Sequence, residues 1–514
     1  MTARRSVRAL VLAAVVLLTV ACGGGGGGTS GGTEVLTVGI GSEPENLDPH
    51  ATRAGTDAYF TSNVFETLLE RDVEGKQQPA LATDYTISED GTIITFTLRQ
   101  GVTFHNGEAM TADDVKYSFE RFVDPELGNT FAYLLDQLDR VDVIDDYTVA
   151  VHLKQFDGSF IPGGGFAAIV PKDYIEQNGD EYFAQNPVGT GALRFVERRI
   201  RDSFTLERFD GYWGEQKAAY QRYEFRILSD ANSRVAAIRS GAVDVISQVP
   251  PQNLAQLEAD EQLTVVSGYT GENVWVKFGR LDGDVPWADP TVRQALDFAI
   301  DKQRIIDQVL GGLGVPYAGV APLSSGFDRV DYRQRPFDPE RTRTLLAEAG
   351  YPDGFDIEIV TPANGRLPAS EQVMQAVAGY WNDVGVRAAV RVVEYSQWIE
   401  HIRATPPPIQ AALGLHGDQT TYDPQFRLIT QLACDAPYSH VCDPQLQAMI
   451  EEISSTVDEE AREQAYVEAF RYIHDIALEI PLYSSEQAFA LRSGVCWTPI
   501  YGSPFTDMSH AKPC

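Results

Sequence analysis

Residues 411–426, AALGLHGDQTTYDPQF, join an apolar run to a polar turn and contain the first candidate for a ligand-binding group. The run predicts a strand over Ala411–Leu415, and the turn carries His416, Asp418 and Tyr422. A strand that fixes the backbone, followed by a turn that presents a carboxylate and an aromatic ring, is a common way to build a binding wall. Taken alone, the composition of this stretch favours an exposed loop with solvated acids.

The composition describes an acidic, folded and soluble protein. The chain has 514 residues, enough for several domains, and is 43% hydrophobic and 22% charged. Its 73 acidic residues outnumber its 41 basic residues, so the formal net charge is -32. This balance argues against a nucleic-acid partner, which would need clustered Lys and Arg, and it suits a secreted protein that net charge keeps in solution.

The N-terminus has the pattern of an export signal. Three arginines precede an apolar run over 9–20, which is too short for a transmembrane helix and has the length of a signal peptide. Small residues before Cys22 and a glycine-rich stretch after it resemble a bacterial lipobox. We predict a signal peptide over 1–21, lipid on Cys22 and a flexible linker over 22–33. The alternative is an ordinary secretory signal with an incidental cysteine. No second hydrophobic span is evident, so lipid alone would form the anchor.

Four further cysteines follow, and they are Cys434, Cys442, Cys496 and Cys514. Export permits disulfides, and four cysteines allow three pairings. Nearest-neighbour pairing would close two modest loops, the second of which would hold the C-terminus. The spacing matches no zinc-site pattern, so structural disulfides are favoured over metal ligands or free thiols.

Strands and helices alternate along most of the chain, which predicts an α/β protein. The alternation predicts a strand over Val35–Ile40, a hairpin over Tyr85–Phe104 that turns at Asp90-Gly91, and a further strand over Val141–Leu153. Near the C-terminus it predicts two separate strands, Ile480–Tyr483 and Phe489–Leu491.

Capping residues mark several predicted helices. Thr111 and Asp114 have the spacing of a capping box, and Asp289-Pro290 and Asp338-Pro339 each combine a cap with proline at the first helical position. A helix without such a signal is predicted over Tyr59–Leu69. A second body of the chain begins near Gly271.

At these segments the chain resembles the extracytoplasmic solute-binding proteins of the dipeptide- and oligopeptide-binding type (family 5), which serve ATP-driven importers. Five motifs in the expected order carry the resemblance: SEPENLDP at 42–49, FHNGEAMTADDVKYSFER at 104–121, NPVGTGALRF at 186–195, DPTVRQALDFAIDKQRI at 289–305 and FDPERTRTLLAEAGYPDGF at 337–355. No single motif decides the matter, but their order and spacing over nearly all of the mature chain are highly specific.

The resemblance implies an α/β, two-lobed periplasmic-binding-protein fold with a hinge and an extra inserted domain. The first lobe is expected to combine 34–62, 187–270 and 481–514. The inserted domain is expected over 63–186, and the second lobe over 271–480. Chain crossings near 271–280 and 478–483 would form the hinge. A ligand that bridges both lobes binds the closed state better than the open one and thereby closes the hinge.

The same resemblance maps ligand-binding roles onto single residues. The aspartate that holds the ligand's α-ammonium in peptide-binding members becomes Asp418, and the tryptophan before it becomes Leu415. The facing segment of the first lobe becomes Arg53 to Gly55. Arg53 stands where an acid is expected, so it either pairs with a ligand carboxylate or is solvated. The missing tryptophan and the gained arginine both depart from the pattern for a plain peptide ligand.

Other residues are candidates with an ordinary structural alternative. Trp275, on the predicted hinge strand, either stacks on ligand or packs in the hinge. His416 and Tyr422 either line the cleft beside Asp418 or lie on a surface loop. Arg366 either meets a ligand carboxylate or is solvated, and Trp398 is expected in the core.

These observations predict a lipid-anchored substrate-binding protein of an ABC importer for oligopeptides or related amine-bearing solutes. It would be monomeric, non-enzymatic and free of cofactor and metal, and it would deliver its ligand to permease subunits in the membrane. A non-peptide solute, such as an oligosaccharide or a nickel chelate, is the alternative within the family. A secreted hydrolase and a receptor that never delivers to a permease are the alternatives outside it. No HExxH motif and no credible nucleophile elbow supports the hydrolase.

Overall fold

The structure is a computed structural model, and it describes residues 35–52, 55–72, 76–163, 167–281, 283–319, 330–363, 369–404, 408–417, 423–434, 436, 438–500, 502–503 and 507–514. Cys22, Arg53, Arg366, Asp418 and Tyr422 are candidate site residues that lie outside the described residues, and the side chain of His416 does as well. The predicted signal peptide and linker also lie outside them.

Nineteen strands, β1 to β19, run through the described chain. They are Val35–Ile40, Leu69–Arg71, Gln77–Pro79, Ala82–Ile87, Ile93–Leu98, Leu138–Asp145, Thr148–Leu153, Leu193–Arg199, Ser203–Arg208, Arg222–Ile227, Val245–Ile246, Leu263–Phe278, Gly314–Pro316, Asp356–Pro362, Arg387–Val393, Ala411–Gly417, Glu479–Arg492, Val495–Cys496 and Lys512–Pro513.

Fifteen α-helices, α1 to α15, are present in the same residues. They are Ala58–Val64, Ala112–Phe122, Phe160–Gly163, Lys172–Asn178, Asp180–Phe183, Ala231–Ser240, Leu254–Glu258, Pro290–Phe298, Lys302–Gln308, Pro339–Glu348, Ser370–Asp383, Tyr395–Arg403, Pro424–Arg427, Pro444–Ser455 and Glu459–Asp475. Within the described part of the chain, none of them has the length and hydropathy that a membrane crossing requires.

One large sheet runs through both lobes. Its strand order is β15-β14-β16-β12-β17-β11-β1-β10-β9-β8, and β13 pairs with β17 beside this path. The long strands β12 and β17 pair antiparallel from Leu263↔Arg492 to Lys277↔Glu479, with an irregularity between Tyr269 and Asn273. These two strands join the half of the sheet that holds β14, β15 and β16 to the half that holds β1 and β8 to β11. They occupy the place of the two predicted hinge crossings.

The pairing of β17 corrects one prediction. The two separate strands expected at 480–483 and 489–491 are parts of one continuous strand, Glu479–Arg492. The polar residues Ser484 to Gln487 interrupt the hydrophobic pattern, but β12 and β13 still pair with them, so the strand continues. Backbone hydrogen bonds to neighbouring strands hold this segment extended, whatever its local preference.

The inserted domain contains a second sheet of order β4-β5-β7-β6. The predicted hairpin at Asp90-Gly91 is confirmed, since Gly91 has φ +71° between β4 and β5. The single strand expected over 141–153 is wrong, because β6 and β7 form a second hairpin there. Its turn begins at Asp145, whose carboxylate accepts the Tyr147 backbone N–H at 2.9 Å.

Capping residues define the helix starts as predicted. The capping box of Thr111 and Asp114 is present at α2, and the Asp289 and Asp338 side chains accept backbone N–H groups of α8 and α10. The helix expected over 59–69 ends at Val64, because the Val64 carbonyl accepts the Gly191 N–H at 3.0 Å. A tertiary contact therefore stops α1 where the sequence pattern continues.

The hydrophobic core is divided among several clusters. The largest joins the first lobe to the inserted domain, and a second fills the space between the second-lobe sheet and its helices. A third lies around α14 and α15. The disulfides join Cys434 to Cys442 and Cys496 to Cys514, which is the nearest-neighbour pairing. The exact domain boundaries remain a prediction.

Candidate functional site

A cleft of about 2730 Å³ opens between the lobes and is the natural place for a ligand. Its walls come from the first lobe, the inserted domain, the hinge strands and the second lobe. The strand β16 carries Leu415 into the second-lobe wall, and α1 carries Tyr59 into the first-lobe wall. The cleft therefore reaches β16, the strand with which the 411–426 stretch begins.

A hydrogen-bonded network closes the hinge end of the cleft. The Tyr269 hydroxyl and the Ser484 hydroxyl donate to the Asn273 side-chain oxygen at 3.2 and 2.6 Å. The Thr270 hydroxyl donates to the Ser485 carbonyl at 3.1 Å. Asn273 and Ser484 are fully buried. These bonds tie β12 to β17 at the irregular part of their pairing, so the hinge-end backbone is held in place.

Charged and phenolic side chains face this end of the cleft. Glu272 lies on β12 directly opposite Gly417 of β16, and it lines the cleft with Tyr59 and Tyr483. Burial raises the pKa of both phenols, and the negative charge of Glu272 adds to each shift. Arg234 lowers the pKa of Tyr59 in return. Glu272 is therefore close enough to both phenols, and Arg234 close enough to Tyr59, for their charges to interact.

Hydrogen bonds to the Asp57 carboxylate anchor the segment that precedes α1. Gly55 opens a short 3-10 helix, Gly55–Asp57, that leads into α1. The buried Asp57 carboxylate accepts the backbone N–H groups of Glu45 and Asn46 at 2.6 and 3.1 Å. The first sequence motif thus holds the start of α1 against the cleft, where Thr56 and Tyr59 form part of the wall.

Trp275 lies in the core behind the cleft. It is only 2% exposed, and the Arg427 guanidinium lies 4.8 Å from its ring centroid. A Cβ at Gly414 would approach its indole nitrogen to 2.2 Å, so β16 packs directly on the ring. These contacts correct the expectation that Trp275 stacks on ligand and agree with the packed hinge aromatic. Trp398, 2% exposed in the second-lobe core, lies where the sequence analysis expected it.

The second-lobe wall contains residues that the sequence analysis did not single out. Arg403, at the end of α12, stacks on Tyr438 at 4.7 Å and donates to its hydroxyl, and both residues line the cleft. Tyr438 sits in the loop that the Cys434–Cys442 disulfide closes, and its carbonyl accepts from Lys277. The disulfide loop is therefore part of the wall, a role that cysteine spacing alone does not reveal.

A buried carboxyl joins the inserted domain to the first lobe. Glu66 accepts the Tyr212 hydroxyl and the Trp213 indole N–H, both at 2.8 Å. Burial raises its pKa to about 7, although hydrogen bonds from Trp213, Thr190 and Tyr212 oppose the shift. The sequence signal was present, since Tyr212 and Trp213 follow the NPVGTGALRF motif, but nothing in it identified Glu66 as their partner.

The inserted domain also touches the second lobe at the outer end of the cleft. The rings of Tyr133 and Phe426 stack at 5.7 Å with an interplanar angle of 17°. The Arg462 guanidinium lies 5.3 Å from the Phe156 ring centroid. Burial raises the pKa of Asp157, and hydrogen bonds with Ser159 and the charge of Arg462 oppose part of this shift. We call the set of Tyr133, Phe156, Asp157, Phe426 and Arg462 the outer contact.

Catalytic and metal-binding arrangements are not among these features. Within the described ranges no group of three metal-ligating side chains could hold an ion. Asp443 caps α14 by accepting two backbone N–H groups. That contact gives Asp443 a structural role.

The protein-family comparison matches residues 76–436 to the model of the bacterial extracellular solute-binding proteins, family 5. Among curated proteins, the chain is 30% identical over 368 residues to the glutathione-binding protein GsiB of Pectobacterium atrosepticum, covering 70% of this chain and 69% of that protein. It is 28% identical over 474 residues to the dipeptide-binding protein of Escherichia coli, covering 84% and 86%.

A similar solved structure is HbpA2 from Haemophilus parasuis. It superposes with a TM-score of 0.82 at 26% sequence identity, covering 94% of this chain and 100% of that one. The match extends over both lobes and the inserted domain. The fold implied by the sequence motifs is therefore the fold of the molecule.

Proposed function

The chain belongs to the bacterial extracellular solute-binding proteins of family 5, the binding proteins of ABC importers, and from this premise we propose that it captures oligopeptides or related amine-bearing solutes. We propose further that lipid on Cys22 anchors it outside the cell membrane and that it delivers its ligand to membrane permease subunits. The family's members are binding proteins, so the protein makes and breaks no bond of its ligand.

The position of the β16 terminus carries the ligand proposal. Leu415 lines the cleft, and Gly417 pairs with Glu272 at the hinge end. Asp418 follows Gly417, the last residue of β16, directly in the chain. A carboxylate there would form a charge-assisted hydrogen bond with the α-ammonium of a peptide in a closed, water-poor site.

The remaining ligand contacts are proposed from sequence and position. Gly55 would bring backbone close to the ligand from the first lobe, and Arg53 beside it would pair with a ligand carboxylate. Arg366 follows β14, the neighbour of β16, and would offer a second cation for a carboxylate. His416 and Tyr422 would flank the ammonium group.

The proposed cycle depends on the two-lobed architecture. A ligand that contacts Asp418 on the second lobe and the Arg53–Gly55 segment on the first lobe binds best when both walls are close. The hinge strands allow the lobes to approach by rigid-body rotation, and the closed form is the one that docks on the permease. The protein would act as a monomer and need no cofactor.

A non-peptide solute without an amine, such as an oligosaccharide or a nickel chelate, is the second candidate. Arg53 and the absence of tryptophan at Leu415 favour it, because both depart from the peptide-binding pattern. The glutathione- and dipeptide-binding relatives carry names for peptide ligands, which supports the first candidate.

Mass spectrometry of the gently purified protein tests the proposal. Spectra of the native protein, followed by spectra of material released on denaturation, should show short peptides or another amine-bearing solute. Asp418→Asn should weaken the affinity for that ligand by at least about tenfold, the cost of losing a charge-assisted hydrogen bond. Glu215→Gln is the matched control, because Glu215 is an exposed acid of the same cleft.

The outcomes separate the parts of the proposal. Equal affinity of the Asp418→Asn variant and the unchanged protein would contradict the ammonium role while leaving the family intact. A single non-amine ligand would contradict the ligand class. Radiolabelled lipid on the unchanged protein but not on Cys22→Ser tests the anchor by itself.

A further inference from the structure

Glu272 occupies an unusual position on the hinge strand. It lies in the irregular segment between Tyr269 and Asn273, where the pairing of β12 with β17 shifts register and Gly271 adopts φ +80°. Such an irregularity changes the direction in which a strand presents its side chains. Glu272 is half-buried and lines the cleft.

Two phenols from different parts of the fold share this end of the cleft with Glu272. Tyr59 comes from α1 of the first lobe, and Tyr483 comes from β17. The Tyr483 side chain is 1% exposed, and its hydroxyl has no hydrogen-bond partner within the described part of the protein. A buried hydroxyl without a partner costs free energy, so an additional polar group at this place would be stabilising.

The negative charge of Glu272, which adds to the burial-raised pKa of Tyr483, favours a cation beside these two groups. The charge of Arg234 opposes the burial-raised pKa of Tyr59, and Arg234 donates to the carbonyls of Leu228, Ser229, Ser247 and Gln248. Through those bonds Arg234 holds the backbone of these four residues in place. Lys277, further along β12, donates to the Tyr438 carbonyl. Glu486 on β17 adds a second acid to the same hinge region of the cleft wall.

We propose that Glu272, together with the hydroxyls of Tyr59 and Tyr483, forms a second cationic subsite at the hinge end of the cleft. It would take a basic side chain, such as that of lysine or ornithine, on a ligand whose amino terminus lies at Asp418. The subsite is distinct from the Asp418 position because it is built on β12, α1 and β17. This inference rests on the proposed function, since it assumes an amine-bearing ligand in the cleft.

The subsite connects ligand chemistry to closure of the lobes. Tyr59 belongs to the first lobe, whereas Glu272 pairs with the second-lobe strand β16. A ligand ammonium between them would contact both sides of the hinge. Ligands with a second amine would therefore bind the closed form more tightly than ligands with one amine.

Matched dipeptides test this inference by calorimetry on the full chain after removal of bound ligand. The probes are Lys-Ala and Ala-Lys, each paired with its counterpart that has norleucine in place of lysine. Norleucine has a similar chain length and no ammonium group. The unchanged protein should bind at least one lysine peptide about tenfold or more tightly than its norleucine partner, as expected for one charged hydrogen bond in a closed site.

Three variants assign the preference to particular groups. Glu272→Gln should abolish the preference for lysine while leaving the affinity for the norleucine peptides within about twofold. Tyr483→Phe should reduce the preference, because it removes one hydroxyl and keeps the ring. Glu215→Gln is the matched control, because Glu215 is an exposed acid of the same cleft that the subsite does not include, and it should retain the preference. Thermal unfolding of each variant shows that it is folded.

Each outcome of these titrations either supports or overturns the subsite or the peptide part of the proposed function. A Glu272→Gln variant that still prefers lysine peptides, or an unchanged protein with no such preference, overturns the subsite. If none of the four peptides binds the unchanged protein, the peptide part of the proposed function fails. The same variants are then titrated with agmatine, a non-peptide diamine analogue. Binding of agmatine that depends on Glu272 supports the subsite, and the absence of binding or of that dependence overturns it.

Discussion

The second lobe is attached to the rest of the molecule in two different ways. At the hinge, β12 and β17 pair by backbone hydrogen bonds over almost their full length. At the outer contact, only side chains meet, namely Tyr133 with Phe426 and the Arg462 guanidinium with Phe156 and Asp157. A backbone ladder survives a small rotation of the lobes, whereas a ring stack and a cation over a ring depend on exact separation. The hinge therefore provides continuity, and the outer contact is the part that opening and closing must change.

The junction of Glu66 with Tyr212 and Trp213 is made by side chains, as the outer contact is. Side chains form this junction between the inserted domain and the first lobe, through the bonds from Tyr212 and Trp213. Backbone hydrogen bonds from Gly191 to Val64 and from His105 to Gly189 lie elsewhere between the same two parts. The inserted domain thus makes side-chain contacts on both of its neighbours, while the lobes share one sheet. Substitutions at single residues should disturb the inserted domain's contacts selectively and should disturb the hinge only by unfolding it.

The largest effect on stability is expected at Gly414, where packing at the hinge leaves no space for a side chain. Gly414→Ala would place a Cβ 2.2 Å from the Trp275 indole nitrogen, inside a buried contact between β16 and β12. Because that ring cannot move away, the free energy of unfolding should fall by about 3 kcal/mol. Denaturant-induced unfolding measures the change.

Gly379→Ala is the matched control for this prediction. Gly379 lies inside α11 with nothing within 4 Å of an added Cβ, so alanine should stabilise the helix by about 0.5–1 kcal/mol. Equal effects of the two substitutions would contradict the packing argument at the hinge.

Changing the pH distinguishes the two kinds of contact, because backbone pairing does not titrate and a buried carboxyl does. Glu66 keeps its proton in the folded protein up to about pH 7, whereas in the unfolded chain it loses it near 4.5. The folded state binds more protons in that window, so the free energy of unfolding should fall as pH rises from about 4.5 to 7.

The expected contribution of Glu66 to this fall is about 3 kcal/mol from the size of the shift. Glu66→Gln should keep an acceptor for the Trp213 indole N–H, with its amide N–H donating to the Tyr212 hydroxyl, and should flatten the pH profile, measured by chemical denaturation at several pH values. Glu108→Gln, on an exposed turn of the same domain, should leave the profile unchanged. An unaltered slope in the Glu66→Gln variant would show that other groups govern the pH dependence.

The smallest effect is expected at the outer contact. Tyr133→Ala removes the stack on Phe426, worth about 1 kcal/mol, and should enlarge the ligand-free protein as the second lobe moves away from the inserted domain. Small-angle scattering measures the radius of gyration, and calorimetry measures the accompanying change in ligand affinity. Tyr182→Ala, a similarly exposed tyrosine of the inserted domain, should change neither. A compact Tyr133→Ala protein would mean that the outer contact does not hold the lobe.

Much of the fold could be predicted from the sequence because its signals are local. The capping pairs at Thr111, Asp289 and Asp338 start helices wherever they occur, and the Asp90-Gly91 turn makes a hairpin with the strands that flank it. The motif order then identified the family. The errors arose where distant residues intervene, as when the Gly191 N–H ends α1 and β12 keeps β17 continuous.

The candidate site was less predictable for the same reason. The sequence led to the end of β16, and the structure places that strand at the cleft. The sequence left Trp275 with two equal roles, stacking on ligand or packing in the hinge. Only the packing of Gly414 and Arg427 against the ring distinguished them. Arg403 and Tyr438 went unnoticed because the disulfide loop brings them together.

By itself, the sequence determined the family, the α/β succession, the capping of its helices and the acidic character of the protein, because each depends on neighbouring residues or on composition. The tertiary structure alone decided that Tyr59, Glu272 and Tyr483 meet at one end of the cleft and that Glu66 faces Tyr212 and Trp213. Strand register and helix packing set those meetings, and they join residues that lie at least 146 positions apart.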